Sequence, residues 1–158
     1  RPLRAGDALP LGPAPAPADR PGARLDPPAY DGTVLAVPGP HRARFAQPDA
    51  LFTGSFAVAA ESDRMGVRLD GPPLTWEGAD LLTCGVAHGA VQVPRGGAPI
   101  VLGPDAQTTG GYPVIAVVAG VSLGSVAQAL PGERLRFVAV RAGRAADALR
   151  AAFGALAV

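Results

Sequence analysis

Gln107-Thr108-Thr109-Gly110-Gly111-Tyr112-Pro113-Val114-Ile115-Ala116-Val117-Val118 joins a polar, glycine-rich loop to an unbroken aliphatic run. A half-exposed strand would alternate, so the run after Pro113 predicts a strand buried on both faces. Upstream, Val91-Gln92-Val93 and Pro99-Ile100-Val101-Leu102 flank Arg95-Gly96-Gly97, which predicts a hairpin. The polar loop then hangs between two core strands, and the domain is expected to be mainly β.

Further out, Thr33 to Val37 is β-branched and aliphatic and stops at Pro38-Gly39-Pro40, the pattern of a strand ending in a tight turn. Phe56 to Val58, the alternating Val67 to Asp70 and Arg134 to Arg141 read as further strands. Helical turns are expected at Asp49 to Phe52 and from Ser122, a candidate N-cap, to Gln128. Ala148, Leu149, Ala152 and Leu156 recur at helical spacing and predict a C-terminal helix over 145–156 with Arg150 on its polar side. Between Trp76 and Gly89 no period stands out, and Leu81, Leu82, Cys84 and Val86 are expected to be partly buried. Residues 1–30 read as a partial strand around the Gly6-Asp7 turn followed by a Pro/Ala-rich linker, with the domain proper in 31–158.

Composition fits this picture. The 158 residues suit one domain, and with 48% hydrophobic but only 5% aromatic residues its core must be aliphatic. Gly and Pro, 21 and 18 residues, interrupt the chain too often for long helices. The net charge of +1 is spread along the chain and does not suggest nucleic acid. No run of about 18 apolar residues suggests a membrane span, and a single Cys84 gives neither a disulfide nor a thiolate metal set. A cytoplasmic location is expected. All fourteen basic residues are Arg. A chain without lysine cannot supply the amine of a P-loop, a pyridoxal Schiff base or a biotin attachment, so ATP or biotin chemistry would need another chain.

Three groups of residues carry candidate chemistry. Gly110 and Gly111 can take positive φ and expose consecutive N–H groups, and with Gln107, Thr108 and Thr109 they could cradle an oxyanion; the same residues also suit a tight turn whose threonines cap its own backbone. Arg64, beside Ser62 and Asp63, could hold a ligand carboxylate bidentately, or pair with Asp63 to pin a turn. His41 and His88 show no metal-ligand spacing, and no nucleophile-elbow glycine pattern surrounds Ser62 to support a triad with Asp63 and His88. Cys84 has no visible basic activator and is expected to be a small buried residue.

Taken in order, Ser62 to Pro72, Gly89 to Pro94, Gly97 to Leu102, Asp105 and Gln107 to Pro113 resemble the biotin-dependent carboxyltransferase-like family of KipA, allophanate hydrolase subunit 2 and the 5-oxoprolinase C protein. Arg134 to Phe137 after Pro131-Gly132 resembles the family's closing strand, and Val37 to His41 its upstream turn. The resemblance implies a cyclophilin-like β-barrel with short helices, corresponding to the C-terminal half of family members; the N-terminal half lies outside this sequence. It implies work with a KipI-like protein and a LamB/YcsF-like protein in ATP-dependent opening of 5-oxoproline. The alternatives it implies are a non-catalytic KipA-type regulator that binds a KipI-like kinase inhibitor, and a urea carboxyltransferase component using biotin carried elsewhere. Under the resemblance Arg64, Gln92, Asp105, Gln107, Thr108, Thr109, Gly110, Gly111 and Tyr112 are the candidate substrate-binding residues. No general base is assigned.

Overall fold

The computed structural model describes residues 3–10, 12–13 and 30–154. Seven strands close into a barrel: β1 (Thr33–Pro38), β2 (Phe56–Val58), β3 (Gly66–Asp70), β5 (Ala90–Gln92), β6 (Ile100–Leu102), β8 (Val114–Val118) and β9 (Arg134–Ala139). The remaining two, β4 (Cys84–Gly85) and β7 (Thr109–Gly110), pair with each other as a ribbon outside it. The order around the barrel is β1-β8-β5-β6-β3-β2-β9, and every neighbouring pair is antiparallel except β9 with β1. That parallel ladder sets Thr33 against Arg136 and Ala36 against Ala139.

Val34, Phe56, Leu69, Val91, Val101, Ile115, Leu135 and Phe137 meet inside the barrel, where the Phe56 and Phe137 rings pack edge to face at 6.2 Å. Such a pair adds about 0.5–1.5 kcal/mol to what its buried area contributes. The expected hairpin is present, with Val91 opposite Val101 and Gln92 opposite Ile100. β8 is buried on both faces as its aliphatic run requires. Ile115 and Val118 face the barrel core, whereas Val114 joins Ala90 and Leu102 in a second, outer cluster.

Three helices close the ends and sides. α1 (Ala50–Thr53) buries Leu51, α2 (Leu123–Gln128) buries Val126, and α3 spans Ala142–Gly154, starting three residues before the expected position. Leu156, expected on its apolar stripe, lies outside the described residues, as do most residues of the expected linker. Residues 3–10 form no strand; Asp7 closes a turn with Arg4 through its backbone N–H and its carboxylate, with Gly6 at φ +92°.

Ser122 precedes α2 as expected, but its hydroxyl makes no capping bond there. Its Oγ instead accepts the Leu35 N–H at 3.1 Å, since β1 runs alongside the buried Ser122 and offers a part-buried donor. Ser122→Ala should therefore destabilise the protein by about 0.5–1.5 kcal/mol, the net worth of a typical hydrogen bond, because the donor it leaves is only part-buried. A lower urea midpoint at unchanged slope is the expected result.

Candidate functional site

The loop of greatest interest is laid over the barrel by the ribbon. Cys84 pairs with Gly110 and Gly85 with Thr109, and the Val86 N–H donates to the Thr108 carbonyl at 2.9 Å. Val86 and Ala106 pack on the outer cluster of Ala90, Leu102 and Val114, so the ribbon covers the outer face of β5, β6 and β8. Its entry is held by Trp76, whose Nε1 donates to the Val93 carbonyl at 3.0 Å and whose ring lies 3.8 Å from the Arg95 guanidinium carbon. Arg95 also donates to Asp80 and to the Gly78 carbonyl. At the exit, the Val93 N–H donates to the Pro113 carbonyl, and His41 Nδ1 accepts the Val114 N–H at 3.1 Å. An accepting Nδ1 places the imidazole proton on Nε2.

Within this frame the loop differs from the expected cradle. Neither Gly110 nor Gly111 has positive φ, because the segment is extended and paired with β4 rather than curled into a nest. The glycines are needed for close approach. A Cβ on Gly110 would stand 2.7 Å from Gln92 Nε2, and one on Gly111 would stand 3.2 Å from the Leu81 carbonyl oxygen. Gln107, Thr108, Thr109 and Tyr112 are exposed. Gln92 is only 2% exposed: it points outward from the barrel but lies under the ribbon, where its Nε2 donates to the Tyr112 carbonyl at 3.4 Å.

Arg64 does hold a carboxylate bidentately, and it is Asp105. Nε meets Oδ2 at 2.6 Å and Nη2 meets Oδ1 at 3.1 Å, while the Asp105 N–H returns to the Arg64 carbonyl at 3.1 Å. The adjacent Asp63 is not the partner, because its Oδ1 accepts the N–H groups of Met65 and Gly66 and so closes the turn before β3. Hydrogen bonding to Arg64 holds the Asp105 carboxyl below the usual carboxylate range, and the same bonds raise the arginine.

Gln92, Gly110 and Tyr112 thus form one group and Arg64 and Asp105 another, and no side-chain hydrogen bond joins the two among the described residues. The Ser62 hydroxyl bridges the N–H and carbonyl of Arg68, which ties it to strand backbone and not to His88. Cys84 and Leu82, expected to be partly buried, are exposed, Leu82 at 91%, because the ribbon faces solvent on its outer side. A cleft of about 350 Å³ between α2 and the β2–β3 and β6 segments includes Val67, Val101, Leu123, Arg64 and His88. Sequence reading missed it because these residues come from separate runs, each of which reads as core or turn. Among the described residues no three His, Cys, Asp or Glu groups gather as a metal site, and no helix is long and apolar enough to cross a membrane.

The sequence model of the carboxyltransferase domain, subdomain A and B, matches residues 1–139, and the chain belongs to that family. It is 40% identical over 112 residues to the 5-oxoprolinase C protein of Escherichia coli and 37% identical over 120 residues to that of Haemophilus influenzae, each of them one subunit of a 5-oxoprolinase. Those matches cover 69% and 74% of this chain but only 36% and 39% of the relatives. The solved Kluyveromyces lactis urea carboxylase superposes with a TM-score of 0.67 at 27% identity, over 72% of this chain and 11% of that one.

The Arg64–Asp105 pair sets a pH dependence of known sign. A carboxyl whose folded pKa is depressed keeps its pairing above the ordinary value of about 3.9 and loses it as pH falls through the lower, folded value. The carboxyl carbon resonance of Asp105 should accordingly titrate with a midpoint below about 3.9 and move back towards it in Arg64→Met.

Proposed function

We propose that the chain is the C-terminal part of one component of an ATP-dependent 5-oxoprolinase, acting in the cytoplasm with a KipI-like and a LamB/YcsF-like protein. The observation that carries this reading is the 40% identity to a 5-oxoprolinase C protein. The substrate is a cyclic amide bearing a carboxylate, and the exposed groups of this face suit it. The Gln107 amide and the hydroxyls of Thr108 and Thr109 supply donors for carbonyl and carboxylate oxygens. Fixed donors contribute most where negative charge develops as an amide opens. Among the described residues Arg64 Nη1 makes no hydrogen bond once Asp105 takes Nε and Nη2, so it retains a charged donor for the carboxylate. Tyr112, half exposed, adds an aromatic surface on the same segment as the threonines. The site is shared with the KipI-like protein, which leaves this chain as one wall of it.

ATP and biotin are not held by this chain through an amine, since it contains no lysine, and no step is routed through either. A urea carboxyltransferase component is the second reading, supported by 28% identity over 117 residues to a putative urea carboxylase of Emericella nidulans. The lower identity places it behind the first.

Thr109→Val and Arg64→Met, each in the complete hetero-oligomeric enzyme, should lower 5-oxoproline-dependent ATP hydrolysis roughly tenfold or more, the scale of one lost hydrogen bond to a charged group. Full turnover in both variants, with assembly unchanged by size exclusion, would remove Thr109 and Arg64 from the site.

A further inference from the structure

The cleft beside α2 opens onto the barrel core. Its floor includes Val58, Val101 and Val126, all nearly fully buried, and its walls include Val67 and Leu123, which pack on that core yet stay only half buried. Aliphatic side chains left half covered are surface that the apolar part of a ligand can bury. At about 350 Å³ the cleft lies at the small end of the range of roughly 300–1,000 Å³ typical of small-molecule sites, which suits an amino acid better than a nucleotide.

Among the described residues, three polar groups at the exposed rim keep unused bonding capacity. Asp63 uses Oδ1 for the N–H groups of Met65 and Gly66, and its Oδ2 has no partner among them. Arg64 gives Nε and Nη2 to Asp105, and its Nη1 has no partner among them. The His88 imidazole likewise makes no hydrogen bond among them. The backbone beneath is fixed: the Asp63 N–H donates to the Gly66 carbonyl, Asp105 donates to the Arg64 carbonyl and Gly103 to that of Met65. A Cβ on Gly103 would collide with the Arg64 carbonyl, so this glycine lets the exit of β6 close against the turn before β3.

Opposite charges on adjacent residues above an apolar floor decide the ligand class. An apolar acid would meet the carboxylates of Asp63 and Asp105 around one guanidinium, and an apolar amine would meet Arg64. A zwitterion satisfies both. We propose that the cleft binds a free α-amino acid with a large aliphatic side chain. Its carboxylate accepts from Arg64 Nη1 and the His88 N–H, its ammonium donates to Asp63 Oδ2, and its side chain lies between Val67 and Leu123. A glutamate or glutamine side chain would have to bury polar atoms against these walls without partners. The inference goes beyond the 5-oxoprolinase reading and does not rest on it. Because that reading gives Arg64 Nη1 to the substrate carboxylate, the two ligands would exclude one another.

The test follows the methyl signals of Val67, Val101 and Leu123 in the purified protein by nuclear magnetic resonance during titration with L-leucine. Two further probes keep the aliphatic body and drop one charge: 4-methylpentanoate lacks the ammonium, and 3-methylbutylamine lacks the carboxylate. L-Leucine should shift the methyl signals saturably, and each truncated probe should bind roughly fivefold or more weakly, the scale of one hydrogen bond. Arg64→Met should weaken L-leucine by a similar factor without weakening 3-methylbutylamine. Asp63→Asn, which keeps an oxygen to close the turn, should weaken L-leucine without weakening 4-methylpentanoate. Ala127→Phe, at an exposed position of α2 on the cleft, should fill it and abolish the response. A purely structural effect of either charge variant would instead weaken both of its probes alike. That result, no saturable response to L-leucine, equal binding of L-leucine and a truncated probe, or a response that survives Ala127→Phe overturns the inference. None of these measurements needs ATP, partner proteins or 5-oxoproline, so amino-acid binding and the proposed turnover stand or fall separately.

Discussion

The barrel depends on the parallel ladder between β1 and β9. Starting at β1 and passing through β8, β5, β6, β3 and β2 to β9 takes six antiparallel steps, after which the chain direction is again that of β1. A ring of seven strands therefore cannot close without one parallel seam. Here the seam is made by Thr33–Ala36 against Arg136–Ala139. Parallel neighbours cannot be joined by a short hairpin, and the intervening chain supplies the other strands, the ribbon and α2. Closure removes the edges that an open sheet would expose.

Closure also frees the outer wall of the barrel for a second layer. β5 has Val91 in the inner core and Ala90 and Gln92 on its outer side, and the ribbon makes that outer side an interior. The two parts of the candidate site consequently rest on different physics. Arg64, just before β3, and Asp105, just after β6, form an exposed pair in which water screens the charges and geometry matters more than energy. Gln92 lies in a dry layer, where each unmade hydrogen bond is costly.

Strand existence was legible because the barrel strands are aliphatic runs bounded by Pro and Gly: Pro38-Gly39-Pro40 ends β1, Gly71-Pro72 follows β3, and Pro113 introduces β8. The bulge between Val91 and Gln92, where the ladder to β8 shifts register, carries no such mark. The ribbon was illegible for a different reason. Cys84–Gly85 and Thr109–Gly110 are two residues each and half glycine, so they have no period to read, and their pairing is imposed by the outer cluster beneath them. Glycine itself was ambiguous: Gly110 and Gly111 could have signalled positive φ or close approach, and only the position of Gln92 and Leu81 decides for the second. Arg64 offered a choice between a ligand carboxylate and the adjacent Asp63, and its partner is neither: the turn before β3 engages Asp63, and Arg64 reaches Asp105, 41 positions away.

The place of β9 in the ring has a consequence for biogenesis. It is the last strand to be synthesised, yet it sits between β1 and β2, the two ends of an otherwise continuous antiparallel sheet. Until it emerges from the ribosome, the nascent chain carries both ends as unpaired edges, one of them the aliphatic Thr33–Pro38. Unpaired edges recruit other chains, so the interval between completing β8 and inserting β9 is when this domain is most exposed to aggregation.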